Sequence, residues 1–443
     1  MSDRVKPGKA HRQGALAPRR TDKNGIAEEG YKKAVELLRS CATQNGFVAS
    51  PTDRSNYRRV WGRDGAIMGL AALATGESDL VEAAVATFRT LARHQGPHGE
   101  IPSNVDEETG RVSYGGTTGR VDADLWFMIG CTEVWLATGD ERFLRDMHPV
   151  IEQVRFLLGA WEYNNRGLLY VPQTGDWADE YVHHGYILYD QILYVQAQRS
   201  LQEIHQRIHD SVNHDLSDRT QRLMHLIRAN YWFADGDENP LPDDVYHEVM
   251  YRKGRASARC REGRFWMPFF SPQGYGYRFD TLANVFASLL GVADDDRRSR
   301  VDQYIDEQLV RDDVALLPAF HPVIKPEDGD WQHLQMNFSY KFKNEPYEYH
   351  NGGLWPMVTG FYVADLANRN RSLAQRYADG IHWANRLTMQ GEPWGFPEYV
   401  HGKKLTAEGT RHQGWSAAAA IIAEAALQRR PLFRVGQSQR KPA

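Results

Sequence analysis

Apolar residues recur at i, i+3, i+4 spacing over twelve stretches of the chain. The stretches lie near 26–43, 62–74, 79–95, 122–138, 140–162, 186–208, 215–232, 279–291, 294–310, 352–369, 371–389 and 413–428. That period marks one face of an α-helix. Two kinds of helix alternate. Segments 62–75 (GRDGAIMGLAALAT), 122–138 (DADLWFMIGCTEVWLAT) and 413–427 (QGWSAAAAIIAEAAL) are apolar almost all round, whereas 294–310 (DDDRRSRVDQYIDEQLV) keeps a charged face. A helix that is hydrophobic on every side is buried, and an amphipathic one has a solvated side. Six buried helices inside six half-exposed ones make an all-α (α/α)6 barrel.

Connection lengths give that barrel a polarity. Return turns such as Thr75-Gly76-Glu77-Ser78 and Thr138-Gly139-Asp140 are short, as antiparallel neighbours require. The connections leading into the next inner helix are long: 96–121, 163–185, 233–278, 311–351 and 390–412. Long loops in a compact domain are a mark of function or disorder. These carry many aromatics, and they gather at the one mouth where inner helices begin. Short β-hairpins are compatible with them. The expected organisation is a disordered basic tail over 1–24, a single catalytic domain over 25–428 and a flexible C-terminal tail over 429–443.

Composition changes this picture little. Of 443 residues 42% are hydrophobic and 25% charged, ordinary values for a globular chain, and the formal net charge of −4 gives no reason to expect a nucleic-acid partner. No run is long and apolar enough to cross a bilayer, so no membrane partner is expected. The N-terminus lacks the apolar core of a secretory signal, which makes a cytoplasmic location the expectation. Cys41, Cys131 and Cys260 are widely spaced, without CxxC pairing, so neither structural zinc nor a disulfide framework is expected. No HExxH motif or glycine-rich phosphate loop occurs, and no metal and no cofactor are assigned.

The chemistry-bearing residues cluster where inner helices start: Trp61-Gly62-Arg63-Asp64, Arg120-Val121-Asp122, Asp176 to Asp190, Arg278-Phe279-Asp280, His350-Asn351 and His412-Gln413-Gly414-Trp415. Helix capping alone would account for Asp122, Asp280 or Asn351 taken singly. It does not account for Arg63 and Trp61 beside Asp64. One of these loops, Asp176-Trp177-Ala178-Asp179-Glu180, and a further one, Phe396-Pro397-Glu398-Tyr399, each offer a carboxylate among aromatics just upstream of an apolar helix. Two carboxyl groups across a cleft are the equipment for acid/base hydrolysis of a glycosidic bond.

Particular segments resemble known families. Tyr349-His350-Asn351-Gly352-Gly353-Leu354-Trp355-Pro356 resembles the YHNGGSWP segment of neutral/alkaline invertases, glycoside hydrolase family 100. Pro397-Glu398-Tyr399, then Gly402-Lys403 and Gln413-Gly414-Trp415-Ser416, is similar to their PEYYD, GK and QTWS stretch. Trp61-Gly62-Arg63-Asp64, Val121-Asp122-Ala123-Asp124-Leu125-Trp126-Phe127 and Asp176-Trp177-Ala178-Asp179 look like the glucosidase domain of glycogen debranching enzymes. The chain thus resembles the inverting (α/α)6 glycoside hydrolases, invertases above all. It departs from them after Asp179, where Glu180-Tyr181-Val182-His183-His184-Gly185 replaces a DRRMGIYG-type sequence, a change that bears on sucrose specificity.

The resemblance implies Asp179 as general acid and Glu398 as general base, with Asp176 the rival acid. An acid protonated near neutral pH needs a raised pKa, and Trp177, Tyr181, Asp176 and Glu180 are the expected source of it. Arg63 and Asp64 are expected to grip glucose hydroxyls. Trp61, Asp122, His350, Asn351 and Gln413 are further sugar contacts, and Trp177, Trp355 and Trp415 stacking platforms, with a wall role equally open for Trp355. The implied activity is inverting hydrolysis of a small α-glucoside, sucrose first. A debranching-type or oligosaccharide α-glucosidase, or a hydrolase of a glucosylated solute such as glucosylglycerate, is the alternative. A sugar epimerase on the same barrel is more distant, since epimerases rely on paired histidines. The expected partner is a small sugar, and a homo-oligomer is left open.

Overall fold

The computed structural model describes residues 23–52, 56–233, 241, 243–257, 263–311, 313–337 and 341–436. Among them are fourteen helices. The first seven are α1 (Lys23–Cys41), α2 (Gly62–Thr75), α3 (Ser78–Arg93), α4 (Val121–Thr138), α5 (Glu141–Trp161), α6 (Leu188–His209) and α7 (His214–Tyr231). The rest are α8 (Glu248–Ala256), α9 (Thr281–Leu289), α10 (Asp295–Gln308), α11 (Trp331–Gln335), α12 (Pro356–Leu366), α13 (Arg371–Asn385) and α14 (Gly414–Leu427). Apart from the short α8 and α11, which lie inside long loops, they are the twelve helices that periodicity predicts.

Contacts close the inner ring in the order α14, α2, α4, α6, α9, α12 and back to α14. Every residue of α12 and almost every residue of α2 and α14 is buried. The outer helices α1, α3, α5, α7, α10 and α13 bury one face each. Small residues let the inner helices approach. Gly360 of α12 lies so close to Ala419 of α14 that a Cβ there would stand 2.9 Å from the Ala419 Cα. The (α/α)6 barrel is therefore the fold of this chain.

The short turns form as their glycines dictate. Gly76 and Gly139 end α2 and α4 with φ of 74° and 66°, a left-handed conformation that costs glycine little. Asp140 then accepts from the Arg142 and Phe143 amides to start α5. The long loops are stitched by short antiparallel pairs: Arg59–Trp61 with Asn104–Asp106, Tyr186–Ile187 with Phe269–Ser271, Phe279–Asp280 with Phe320–His321, and Tyr399–Val400 with Ala407–Glu408. Three of these strands run directly into an inner helix, so the sheet fragments fix where α2, α6 and α9 begin. A sixth long connection, residues 42–61, joins the five read from the sequence.

The expected C-terminal tail starts too early. Residues up to Gly436 pack on the barrel: Leu432, Phe433 and Val435 are buried, and the Glu133 carboxylate of α4 accepts from the Arg434 and Val435 amides at 2.8–3.0 Å. Three apolar side chains and a buried acceptor hold what composition alone reads as a polar tail. Residues 437–443, and residues 1–22 of the expected N-terminal tail, lie outside the described residues. Cys41 and Cys131 are buried free thiols, and Cys260 also lies outside the description.

Candidate active site

Six inner helices begin at one mouth, and their first residues form its floor. Asp280 caps α9 by accepting from the Ala283 amide at 3.0 Å, as the capping alternative supposes. Asp122 does not cap α4. Its Oδ2 accepts from Arg63 Nη1 at 3.0 Å and lies 3.4 Å from the Tyr189 hydroxyl, which in turn accepts from Trp126 Nε1. Asp124 reaches out to the Ile101 amide at 2.7 Å and ties the 96–121 loop to the helix start.

Arg63, Asp64, Asp122, Gln413 and Trp415 make one buried group. Gln413 Nε2 donates to Asp64 Oδ1 at 3.1 Å, Arg63 Nε stands 3.7 Å from Asp64 Oδ2, and the guanidinium lies 5.7 Å from the Trp415 ring centroid. Burial pushes the Asp64 carboxyl up to about 6, with Arg63 opposing and Asp122 adding to it. Asp122 Oδ1, Gln413 Oε1 and Trp415 Nε1 are buried without a protein partner among the described residues. Buried polar atoms of native proteins are nearly always paired. A cluster of open donors and acceptors over an indole face suits a hydroxyl-rich ring.

Glu398 sits at the start of the Tyr399–Val400 strand, its amide bonded to Thr410 O at 2.9 Å. The carboxylate is 3% exposed. Tyr57 Oη donates to Oε1 at 2.9 Å, and the Thr410 amide donates to Oε2 at 3.0 Å. Gly409, at φ 75°, passes so close that a Cβ there would meet Oε2 at 2.5 Å. Burial raises the Glu398 carboxyl to about 7, while Thr410, Tyr57 and Lys343 pull it back.

Asp179 differs from the expectation. Its side chain is 21% exposed, and Oδ2 accepts from Arg120 Nη2 at 2.7 Å, so a guanidinium rather than an apolar wall is its partner. Arg120 is itself anchored on Thr174 O. Trp177 and Tyr181 both stack on Phe320, at 5.9 and 4.3 Å. The carboxyl held well above its ordinary range is Asp176, by burial first and then by the charges of Asp122 and Asp280. Asp190, two residues into α6, is buried beside it, and among the described residues neither of its oxygens has a hydrogen-bond partner. Tyr57, Tyr349 and Lys343 each lie within electrostatic reach of both Asp179 and Glu398.

The remaining expected contacts divide. His350 is buried with neither ring nitrogen partnered among the described residues, lies 5.3 Å from Trp355 at 16°, and is held neutral chiefly by burial. Trp177 meets His350 and Trp355 edge-on, its Nε1 also without a partner among the described residues. Trp355 is fully buried and donates to Tyr349 O, the wall role. Trp61 is half-buried and bonds Asn56 O. Asn351 is committed elsewhere: its amide bonds Ile324 N and O and Asn344 O at 2.6–3.0 Å, which pins one loop to another. It is not a free sugar contact.

Tyr57 and Lys343 join the site without any signal in the sequence pattern. Each is a lone polar residue in a long loop, and no motif marks either. Lys343 pairs with Glu180 Oε1 at 2.8 Å and stands 5.0 Å from the Tyr349 ring centroid. Among the described residues no group of three or more His, Cys, Asp or Glu is arranged to hold a metal, and no helix is long and apolar enough to cross a membrane.

The family model for alkaline and neutral invertases matches residues 260–431. The probable alkaline/neutral invertase A, chloroplastic, of Arabidopsis thaliana is 25% identical over 92% of this chain and 73% of its own length. Neutral/alkaline invertase 3, chloroplastic, of Oryza sativa subsp. japonica is 23% identical over 94% and 76%. The chain is a glycoside hydrolase. The hydrolase is invertase-like in sequence, and solved structures agree on its fold. The family 63 mannosylglycerate hydrolase of Thermus thermophilus, crystallised with Tris, superposes with a TM-score of 0.60 at 16% identity, covering 88% of this chain and 99% of that one. A bacterial glucoamylase complexed with acarbose gives 0.61 at 14% identity, covering 93% and 57%.

Proposed function

We propose that the hydrolase cleaves a small α-glucoside with inversion, sucrose being the first candidate. The observation that carries this reading is Glu398: a buried carboxyl brought to about 7, fixed at both oxygens, in the electrostatic company of Lys343 and Asp64. In this reading Arg63, Asp64 and Gln413 hold hydroxyls of the glucose ring against Trp415. Glu398 takes a proton from a water that attacks the anomeric carbon. The bond from that carbon to the leaving oxygen breaks, and Asp179 supplies the proton that the oxygen needs. An inverting pair stands roughly 6.5–9.5 Å apart, which leaves room for the water.

To hand a proton to the leaving oxygen Asp179 has to part from Arg120, whose Nη2 bonds its Oδ2 at 2.7 Å. In this reading the leaving group draws Arg120 away as it binds. The same feature supports a second reading, a glucoside whose leaving group bears a carboxylate, such as glucosylglycerate. Arg120 and Lys343 are two cations flanking Asp179 and Glu180, and a neighbouring fold has been crystallised with Tris and D-glycerate.

Leaving-group chemistry separates the candidate acids. An aryl glucoside with an activated leaving group needs little protonation. The Asp179→Asn variant is expected to lose about 10²–10⁴-fold in kcat on sucrose and far less on the aryl glucoside, while Glu398→Gln loses both. If Asp176→Asn shows that selective loss and Asp179→Asn does not, the acid is Asp176. Comparing kcat/KM for sucrose, isomaltose, maltose, trehalose and glucosylglycerate assigns the substrate. Preference for glucosylglycerate, abolished by Arg120→Gln, selects the second reading.

A further inference from the structure

The loop from Val171 to Gly185 is closed by a backbone bridge between its two ends. Asp179 and Glu180 meet Arg120 and Lys343 from this loop. Its later residues, Tyr181 to His184, line a cavity of about 810 Å³ together with Tyr170, Phe269, Tyr275 and Tyr277. None of Arg63, Asp64, Asp179 or Glu398 lines it, so it is not the site described above. The cavity lies against the three-stranded patch in which Phe269–Ser271 pairs with Tyr186–Ile187 on one side and Gly274–Tyr275 on the other.

Two deeply buried lining residues have unpartnered polar atoms. Tyr181 is 1% exposed and His183 2%, and neither Tyr181 Oη nor His183 Nδ1 has a protein partner among the described residues. Burial and the neighbouring His184 and Arg278 lower the His183 pKa to about 3, so the imidazole is neutral at working pH. A neutral imidazole and a phenol each present one donor and one acceptor, the complement of a sugar hydroxyl. Phe269 and Tyr277 supply half-buried aromatic surface. Apart from the histidines, the charged lining residues are Arg278 and Asp330, and these two pair with each other. The lining is thus polar, aromatic and electrically balanced.

We infer that this cavity is a second binding site, for a neutral sugar, on a different part of the loop that carries Asp179. The inference rests on the carbohydrate reading above. It assigns Tyr181 and His183 to hydroxyl recognition and Phe269 and Tyr277 to stacking against a pyranose face. A ligand there touches the loop within two residues of Asp179.

Glu398→Gln protein crystallised with maltotriose provides the test, paired with calorimetric titration of the same protein carrying Tyr277→Ala or His184→Ala. His184 and Tyr277 are half-buried, and their replacement spares the buried Tyr181 and His183. The expected result is a sugar ring over Phe269 and Tyr277, with hydroxyls bonded to Tyr181 and His183 and a tenfold or greater rise in Kd for one of two binding events. A cavity without sugar while the Arg63–Asp64 group is occupied would overturn the inference and leave the hydrolase reading intact. Unchanged isotherms in both variants would overturn it too. Sugar in the cavity of a protein that hydrolyses no glucoside would keep the second site and remove the catalytic reading.

Discussion

Glu398 carries opposed demands. It is buried, which favours the neutral form, yet both oxygens accept hydrogen bonds that favour the anion. In its proposed role as base, a carboxyl at about 7 gives a kcat/KM that falls about tenfold per pH unit below neutrality. Tyr57 stabilises the anion, so Tyr57→Phe moves that limb to higher pH and costs about 3–10-fold near pH 7 with little loss at pH 9. An unmoved limb would remove Tyr57 from the account. Stability follows with a definite sign. The carboxyl pKa is raised from 4.5 to about 7 on folding, so the folded chain binds the extra proton between those values, and stability declines as pH rises through that window by about 3 kcal/mol. Glu398→Gln therefore raises Tm at pH 8 relative to wild type and shows no such gain at pH 4. An equal shift at both pH values would contradict the burial argument.

Elements show which part of the molecule the sequence discloses. Periodicity finds the twelve barrel helices because each is defined by its own side chains: α14 is apolar on all faces, α10 on one. Gly76 and Gly139 end helices by a local backbone need, which is also legible. The short strands are not, since Arg59–Trp61 exists only through its pairing with Asn104–Asp106 far along the chain. Tyr57 and Lys343 escape for the same reason: their relation to Glu398 and Glu180 is made by loop packing. The motif residues Arg63, Asp64, Asp122 and Gln413 do assemble as expected, whereas Asn351 turns to loop anchoring and Asp179 to an ion pair. Ring closure depends on small residues. Gly360→Ala forces α12 from the Ala419 backbone, an overpacking that costs about 1–3 kcal/mol by denaturant unfolding. A wild-type value would mean that α12 and α14 have room to spare.

At the scale of the whole molecule, six inner helix starts and six long connections meet at one mouth, and the opposite end of the barrel is held by short turns and the C-terminal segment. Glu133, buried in α4 and raised to about 7 mainly by burial, keeps its place by accepting the Arg434 and Val435 amides. Truncation after residue 428 removes those donors and uncovers apolar surface. It is expected to cost about 2 kcal/mol or more while leaving KM for the substrate near its wild-type value. A truncated protein of full stability would show that the segment only decorates the barrel.

Asp179 and Glu398 are proposed to work from opposite faces of one glycosidic bond. Proton NMR during the first seconds of sucrose hydrolysis, before mutarotation, reads it directly, with the preferred α-glucoside of the substrate panel taking the place of sucrose if that differs. β-Glucose is the expected first anomer, turning to α only as the sugar equilibrates. Initial α-glucose would mean a glycosyl-enzyme intermediate and a retained configuration, and would contradict it.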